Sequence, residues 1–97
     1  MQNYPNPFSA RGGSAYGGNP TTTIHYLLPN ASHVTVSIYD MLGRWVTTIV
    51  DGDMPAGDHS AIWDGRDASG DELSSGVYLC RIIAPSSCET IKIMLLR

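Results

Sequence analysis

The segment His33-Val34-Thr35-Val36-Ser37-Ile38-Tyr39-Asp40 decides the fold class. Val34, Val36 and Ile38 alternate with Thr35 and Ser37, the period of two that puts apolar side chains on one face of a strand. The three apolar residues are β-branched and suit a pleated, half-buried surface. The same reading extends in both directions. Pro29-Asn30-Ala31-Ser32 is a turn, and before it Thr21 to Leu28 is a first strand with Ile24, Tyr26 and Leu28 on one face. After it, Met41-Leu42-Gly43 turns the chain into a third strand, Arg44 to Val50. Asp51 to Gly57 reads as a loop, because it holds Asp51-Gly52 and Pro55. Asp58 to Trp63 is the fourth strand. Asp64 to Gly76 is rich in turns, with a short strand around Glu72-Leu73 inside it. Val77 to Ala84, a hairpin loop from Ala84 to Ser87, and Cys88 to Leu96 complete the chain. In that final strand Ile91, Ile93 and Leu95 alternate with Lys92 and Met94.

Six or seven short strands at even spacing, with no helical period between them, imply antiparallel pairing, since the connections are too short for crossover helices. One open sheet would leave a broad apolar face in water. Two facing sheets bury it, so the expected architecture is an all-β antiparallel sandwich of about seven strands. The 97 residues suffice for one such domain and a single modest core.

Composition narrows the function classes. Charged residues make up 15% and apolar residues 42%, which does not suit a disordered tail. The formal net charge is −3, with Lys92 and five scattered arginines and no basic cluster to neutralise phosphates. Nucleic-acid binding is therefore not expected. No apolar run approaches the roughly 20 residues of a membrane span, so membrane insertion is not expected either. Met1-Gln2-Asn3-Tyr4-Pro5 has neither a charged start nor an apolar stretch, so an export signal is expected on an upstream part of a larger protein.

Residues 1–20 differ in character from the rest. Asn3-Tyr4-Pro5-Asn6-Pro7-Phe8 is stiff and extended, because each proline fixes its own φ and biases the residue before it away from helix. Ser9 to Gly18 is a Gly-rich loop. The expected organisation is a Pro-rich extended lead-in plus this loop over 1–20, followed by the sandwich over 21–97, as a single domain.

Several stretches carry a resemblance. They are Asn3-Tyr4-Pro5-Asn6-Pro7-Phe8, Asn19-Pro20-Thr21-Thr22-Thr23-Ile24 and Ile38-Tyr39-Asp40-Met41-Leu42-Gly43-Arg44. Trp63-Asp64-Gly65-Arg66-Asp67 with Ser69-Gly70 and Ser75-Gly76-Val77-Tyr78, and the ending from Lys92 to Arg97, belong to the same set. In this order they resemble the C-terminal sorting domains of the bacterial type IX secretion system and the related Ig-like domain of flagellar hook-capping proteins. The resemblance implies an Ig-like or fibronectin III-like sandwich at the end of a large secreted bacterial protein. It also implies that the domain addresses its parent to an outer-membrane translocon and to the cell surface. The family pattern runs Pro-Asn-Pro-Phe directly into Asn-Pro-Thr-Thr-Thr, whereas here Ser9 to Gly18 intervene, as a native insertion or an introduced one. A loop of this kind closes at little entropic cost.

Candidate site residues follow. Tyr4, Pro5, Asn6, Pro7 and Phe8 read either as a segment recognised by secretion machinery or as an extended edge strand anchored on the sandwich, with Gly43, Gly65 and Gly76 as turn-forming supports. Trp45 points outward if Val46 faces the core. Trp45, with Tyr39 and Tyr16, is then a candidate contact for a sugar or a partner protein. Trp63 reads as core, with Asp64-Gly65 as its turn. Asp64, Asp67 and Asp71 are a weak calcium candidate, since clustered carboxylates on a turn supply some of the oxygens calcium wants; the alternative is a solvated turn whose carboxylates accept backbone N–H groups. Cys80 and Cys88 have their midpoint at Ala84, which places them opposite each other as a candidate disulfide; one slip of register puts them on opposite faces. His25, His33 and His59 are isolated in sequence. No nucleophile elbow, phosphate loop or acid–base pair is present, so neither an enzyme nor a cofactor is expected. The expected function is a non-catalytic accessory module of a secreted or cell-surface protein, acting in sorting and anchoring. The alternative is a carbohydrate-binding or protein-assembly module. Expected partners are secretion machinery or neighbouring domains, with self-association through open sheet edges.

Overall fold

The computed structural model describes residues 2–4, 8–9, 21–85 and 87–96. Six long strands carry the fold: β3 (Thr22–Leu28), β4 (Ser32–Tyr39), β5 (Trp45–Met54), β6 (Gly57–Trp63), β7 (Gly76–Ala84) and β8 (Ser87–Leu96). Two short ones precede them, β1 (Gln2–Tyr4) and β2 (Phe8–Ser9). They form a three-stranded sheet in the order β1-β3-β6 and a five-stranded sheet in the order β2-β8-β7-β4-β5. The fold is therefore the all-β Ig-like sandwich that the resemblance implies, with β3 and β6 in one layer and β4, β7 and β8 in the other. All pairs among the six long strands are antiparallel. The short β2 departs from that pattern and runs parallel to β8.

The core lies between the layers. Ile24, Tyr26 and Leu28 from β3 meet Val34, Val36 and Ile38 from β4, with Trp63, Tyr78, Cys80, Ile82, Ile93 and Leu95 completing the cluster. The alternation of β4 thus points as the sequence indicates. Ser37, on the opposite face, is nevertheless 3% exposed. Its hydroxyl satisfies itself against Thr48 Oγ1 at 3.0 Å, as a buried polar group must.

Two turns show how local chemistry sets the layout. Between β4 and β5, the Asp40 N–H donates to the Arg44 carbonyl, and the Gly43 N–H to the Asp40 carbonyl. Asp40 Oδ1 also accepts from the backbone N–H groups of Leu42 and Arg44, each at 2.9 Å. Gly43 takes φ +83° there, a conformation that a Cβ disfavours. Between β6 and β7, the turn of residues 64–75 is a small hairpin bridged at Arg66 and Glu72. Asp67 Oδ1 accepts from Ser69 N–H and Asp71 N–H, and Asp64 Oδ1 from Arg66 N–H. The Trp63 indole donates to the Arg66 carbonyl at 3.0 Å, tying this turn to the core.

One boundary differs from the sequence reading. Asp51 to Met54, expected in a loop, continues β5, because β4 supplies partners for each residue: Thr35, Val34, His33 and Ser32 face Asp51, Gly52, Asp53 and Met54. Pairing with an existing strand outweighs the turn preference of Asp-Gly. The remaining link, Pro55-Ala56, carries the chain into the other sheet.

Candidate functional site

The segment singled out at the N-terminus spans both sheets. Gln2, Asn3 and Tyr4 pair with His25, Ile24 and Thr23 at the edge of the three-stranded sheet. Phe8 and Ser9 pair with Leu95 and Leu96 at the edge of the five-stranded sheet. Tyr4 and Phe8, the two described ends of this segment, therefore sit on different sheets. Pro5, Asn6 and Pro7 lie outside the described residues, as do residues 10–20, Tyr16 among them.

The outer face of the five-stranded sheet gathers the second set of candidates. Trp45 and Tyr39 are register partners on β5 and β4. Trp45 is 56% exposed, and its indole N–H donates to Thr48 Oγ1 at 3.0 Å. That hydroxyl in turn meets Ser37. The Arg81 guanidinium sits 5.6 Å from the centre of the Tyr39 ring, a cation–π distance. Leu79 follows Tyr39 across the ladder and Lys92 follows Leu79. Met94, Leu96 and Ile83 are exposed on the same sheet. The result is an aromatic and apolar band with two cations on it. Arg81 was not a sequence candidate: the signal lies in the β4–β7 register, which no local pattern reveals.

His33, isolated in sequence, is joined at one end of this face by two carboxylates. Its Nε2 lies 2.7 Å from Asp51 Oδ1 and its Nδ1 3.2 Å from Asp53 Oδ1. The hydrogen bond with Asp51, then that with Asp53, raise its pKa above the usual imidazole value. Both ring nitrogens donate when the ring is protonated, and one must lose its bond when it is neutral. A pKa raised on folding stabilises the fold fully below the unfolded value of about 6.5, and that stabilisation disappears as pH rises through the higher folded value. His33→Gln is accordingly expected to lower Tm at about pH 5.5 and to have little effect at about pH 9. The difference should shrink with added salt, because the group is solvent-exposed. Melting curves of both proteins at the two pH values check this.

The disulfide candidate is corrected by the register. Ala84 pairs with Ser87, so Ile83 faces Cys88 and Cys80 faces Ile91. Cys80 points into the core and Cys88 is exposed, and both are free thiols. The hairpin closes with two residues between its strands rather than around Ala84. That odd offset places the two sulfurs on opposite faces of the sheet. The calcium candidate is not assembled either. The carboxylates of Asp64 and Asp67 are engaged by backbone N–H groups of their own turn. Among the described residues no three His, Cys, Asp or Glu side chains gather as a metal site. No helix among them is long and apolar enough to cross a membrane.

A cleft of about 490 Å³ opens on the side of the sandwich where β5 and β6 diverge. Thr47 and Ile49 line it from β5, Ile62 and Trp63 from β6, and Asp64 and Asp67 from the turn that closes its end.

Comparison with known proteins agrees with this geometry. A search of curated protein sequences finds no match. Among solved structures, the hook-capping protein FlgD of Pseudomonas aeruginosa is similar over 76% of this chain, with 30% identity and a TM-score of 0.61. FlgD of Xanthomonas campestris, described as essential for flagellar assembly through hook capping, is similar over 76% with 24% identity and a TM-score of 0.60. PorZ of Porphyromonas gingivalis, a surface component essential to the type IX secretion system, is similar over 99% with 22% identity and a TM-score of 0.63. The chain spans 57% and 54% of the two FlgD chains and 11% of PorZ. These proteins are assembly or surface components. The sequence model of the FlgD Ig-like domain matches residues 12–87, and the chain belongs to the FlgD Ig-like domain family.

Proposed function

We propose that this domain is a non-catalytic accessory module at the C-terminal end of a larger secreted bacterial protein, acting in type IX secretion and surface anchoring. The observation that carries the reading is the course of the N-terminal segment. Its described parts pair at the outer edge of one sheet, through Gln2–Tyr4, and of the other, through Phe8–Ser9, and an edge position is where a translocon component would meet the chain. The likeness to PorZ supports a place in that system, and it extends over 99% of the chain. Recognition then reads a displayed segment on a rigid frame, with no chemistry required of the module.

The test is export. The domain is fused to the C-terminus of a periplasmic reporter in a bacterium with a working type IX system. Surface display that depends on the translocon and is lost on deleting residues 4–8 is the expected result. A folded fusion retained in the periplasm sinks the reading.

A second reading has its own observation. The exposed Trp45, with Tyr39 under the Arg81 guanidinium, forms a surface suited to packing on another protein, as in the assembly role described for the FlgD relatives. Aromatic and arginine side chains are the usual anchors of such contacts. If this face is the working surface, Trp45→Ala and Arg81→Ala abolish partner binding and leave the fold intact.

A further inference from the structure

The outer face of the five-stranded sheet holds two side chains in fixed positions with their recognition surfaces unused. The Trp45 ring is one. Tyr39 and Ser37, two residues apart on β4, have as register partners Trp45 and Thr48, three residues apart on β5. The extra residue is a β-bulge, which re-aims the side chains beside it. It brings Trp45 against Thr48, where the indole N–H is satisfied while the residue stays 56% exposed. Arg81 is the other. Arg44 and Arg66 are each paired with a carboxylate, Asp40 and Glu72. Arg81 is exposed and its guanidinium rests on the Tyr39 ring; among the described residues nothing accepts a hydrogen bond from it. We propose that this face binds an acidic polysaccharide, with a pyranose stacked on Trp45 and the carboxylate of a neighbouring hexuronic acid held by Arg81.

Each part of the ligand has its counterpart. A pyranose presents a face of C–H bonds, which meets the electron-rich face of an indole, and a rim of hydroxyls. Because the Trp45 N–H is already bonded to Thr48, the ring offers its π face alone. Hydroxyls suited to the rim lie on the same side of the sheet: Thr48 beside the indole, Thr35 two residues from Ser37, and Thr90 opposite Arg81. Arg81 offers a planar fork of N–H donors that takes a carboxylate in two places. The Tyr39 ring holds that fork, so little freedom is lost on binding. Trp45 and Arg81 lie on β5 and β7 with β4 between them, about 10 Å apart, the reach of two linked sugars. The charge is complementary as well. The chain carries a net −3, yet the carboxylates of this sheet are turned elsewhere. Asp51 and Asp53 hold His33, Asp40 holds Arg44, and Glu89, opposite the core residue Ile82, belongs to the other face.

A protein partner fits the same face less well. A protein anchor is buried in a pocket behind a dry rim, whereas hydroxyls surround the Trp45 ring. The site is also remote from the described residues that border 10–20. Ser9 lies at the Leu96 end of β8, with three strands between β2 and β5, and Thr21 leads into β3 of the other layer. The inference goes beyond the export reading, which does not use this face, and it seats a sugar where the packing reading seats a protein.

The full chain, labelled with ¹⁵N, is titrated with trigalacturonate, with its fully methyl-esterified form and with triglutamate blocked at both ends. Expected are saturable shifts of the Trp45 indole N–H and of the amides of Tyr39, Thr48 and Arg81, with a Kd of about 1 mM or below for trigalacturonate. The ester keeps the sugar rings but not the charge, and should bind at least about tenfold more weakly. Arg81→Gln should bring trigalacturonate down to the level of the ester and leave the ester unchanged. Trp45→Ala should weaken both sugars, with a near-native melting curve as the control for folding. Equal binding of acid and ester, shifts centred on another face, or no saturable response by about 10 mM trigalacturonate would each overturn the proposal. Triglutamate binding as tightly as trigalacturonate would overturn it in favour of a protein partner. None of these outcomes bears on the export assay, so either inference can fail alone.

Discussion

Replacing Trp63 by alanine is expected to lower the stability of the domain by about 3–5 kcal/mol, against a total of about 5–15 for a domain of ordinary stability. Three losses act together. The side chain is 1% exposed and is the largest in the core, so truncation leaves a cavity that the β3–β6 ladder cannot close. The indole meets the Tyr78 ring edge-on at 5.4 Å, a contact that contributes about 0.5–1.5 kcal/mol beyond area burial. The indole N–H also holds the Arg66 carbonyl, and through it the turn that carries the chain from one sheet to the other. The Tyr78 hydroxyl holds the far end of the same turn, donating to the Ser74 carbonyl at 2.8 Å. Trp63→Phe keeps most of the packing but not that hydrogen bond, and should fall between wild type and alanine. Trp45→Ala is the contrast: an exposed ring on the outer face, whose loss should change stability by no more than about 0.5 kcal/mol. Urea denaturation followed by circular dichroism separates the three. Greater destabilisation by Trp45→Ala than by Trp63→Ala would show that the core has been assigned to the wrong tryptophan.

The contrast between the two tryptophans also shows which parts of this fold are legible in a sequence. Trp45 beside Val46, and Trp63 two residues after Ala61, declare their faces by alternation, because side-chain direction along a strand is a local property. Val34, Val36 and Ile38 do the same for the core. Offsets between strands are not local. The pairing of Ala84 with Ser87 is decided by how tightly the hairpin closes, and a midpoint drawn from the loop boundaries misplaced Cys80 and Cys88. The site residues follow the same division. Tyr39 and Trp45 stand out by type, but Arg81 reaches Tyr39 and His33 reaches Asp51 only across ladders. The extension of β5 through Asp51-Gly52 is a third case. A dipeptide that favours turning in isolation stays extended when β4 runs alongside it.

That register has its largest chemical consequence at the cysteines. Cys80 lies in the core, and burial pushes its thiol up to about 12. Attack on a thiol reagent requires the thiolate. At about pH 8 a group with that pKa is ionised to about one part in ten thousand, against about a quarter for an ordinary exposed thiol of pKa about 8.5. A more basic thiolate is intrinsically more nucleophilic and recovers part of that loss, so the chemistry alone slows Cys80 by roughly two orders of magnitude relative to such a thiol, before the barrier to reagent entry is counted. Native protein treated with an aromatic disulfide reagent should release one equivalent promptly, from Cys88, and a second only as the domain opens. In denaturant both should react at once. Cys88→Ser should remove the fast phase and leave the slow one, while Cys80→Ala should do the reverse. Two fast thiols in the native state would mean that Cys80 is not in the core. No free thiol in fully oxidised native protein would mean that the hairpin closes around Ala84 after all, three positions away from the Ala84–Ser87 register in the sum of paired residue numbers. Because such a shift is odd, it would also turn β8 over relative to β7. Ile93 and Leu95 would then move to solvent, and Lys92 and Met94 would move into the core. The thiol count thus tests the packing of the whole β7–β8 hairpin.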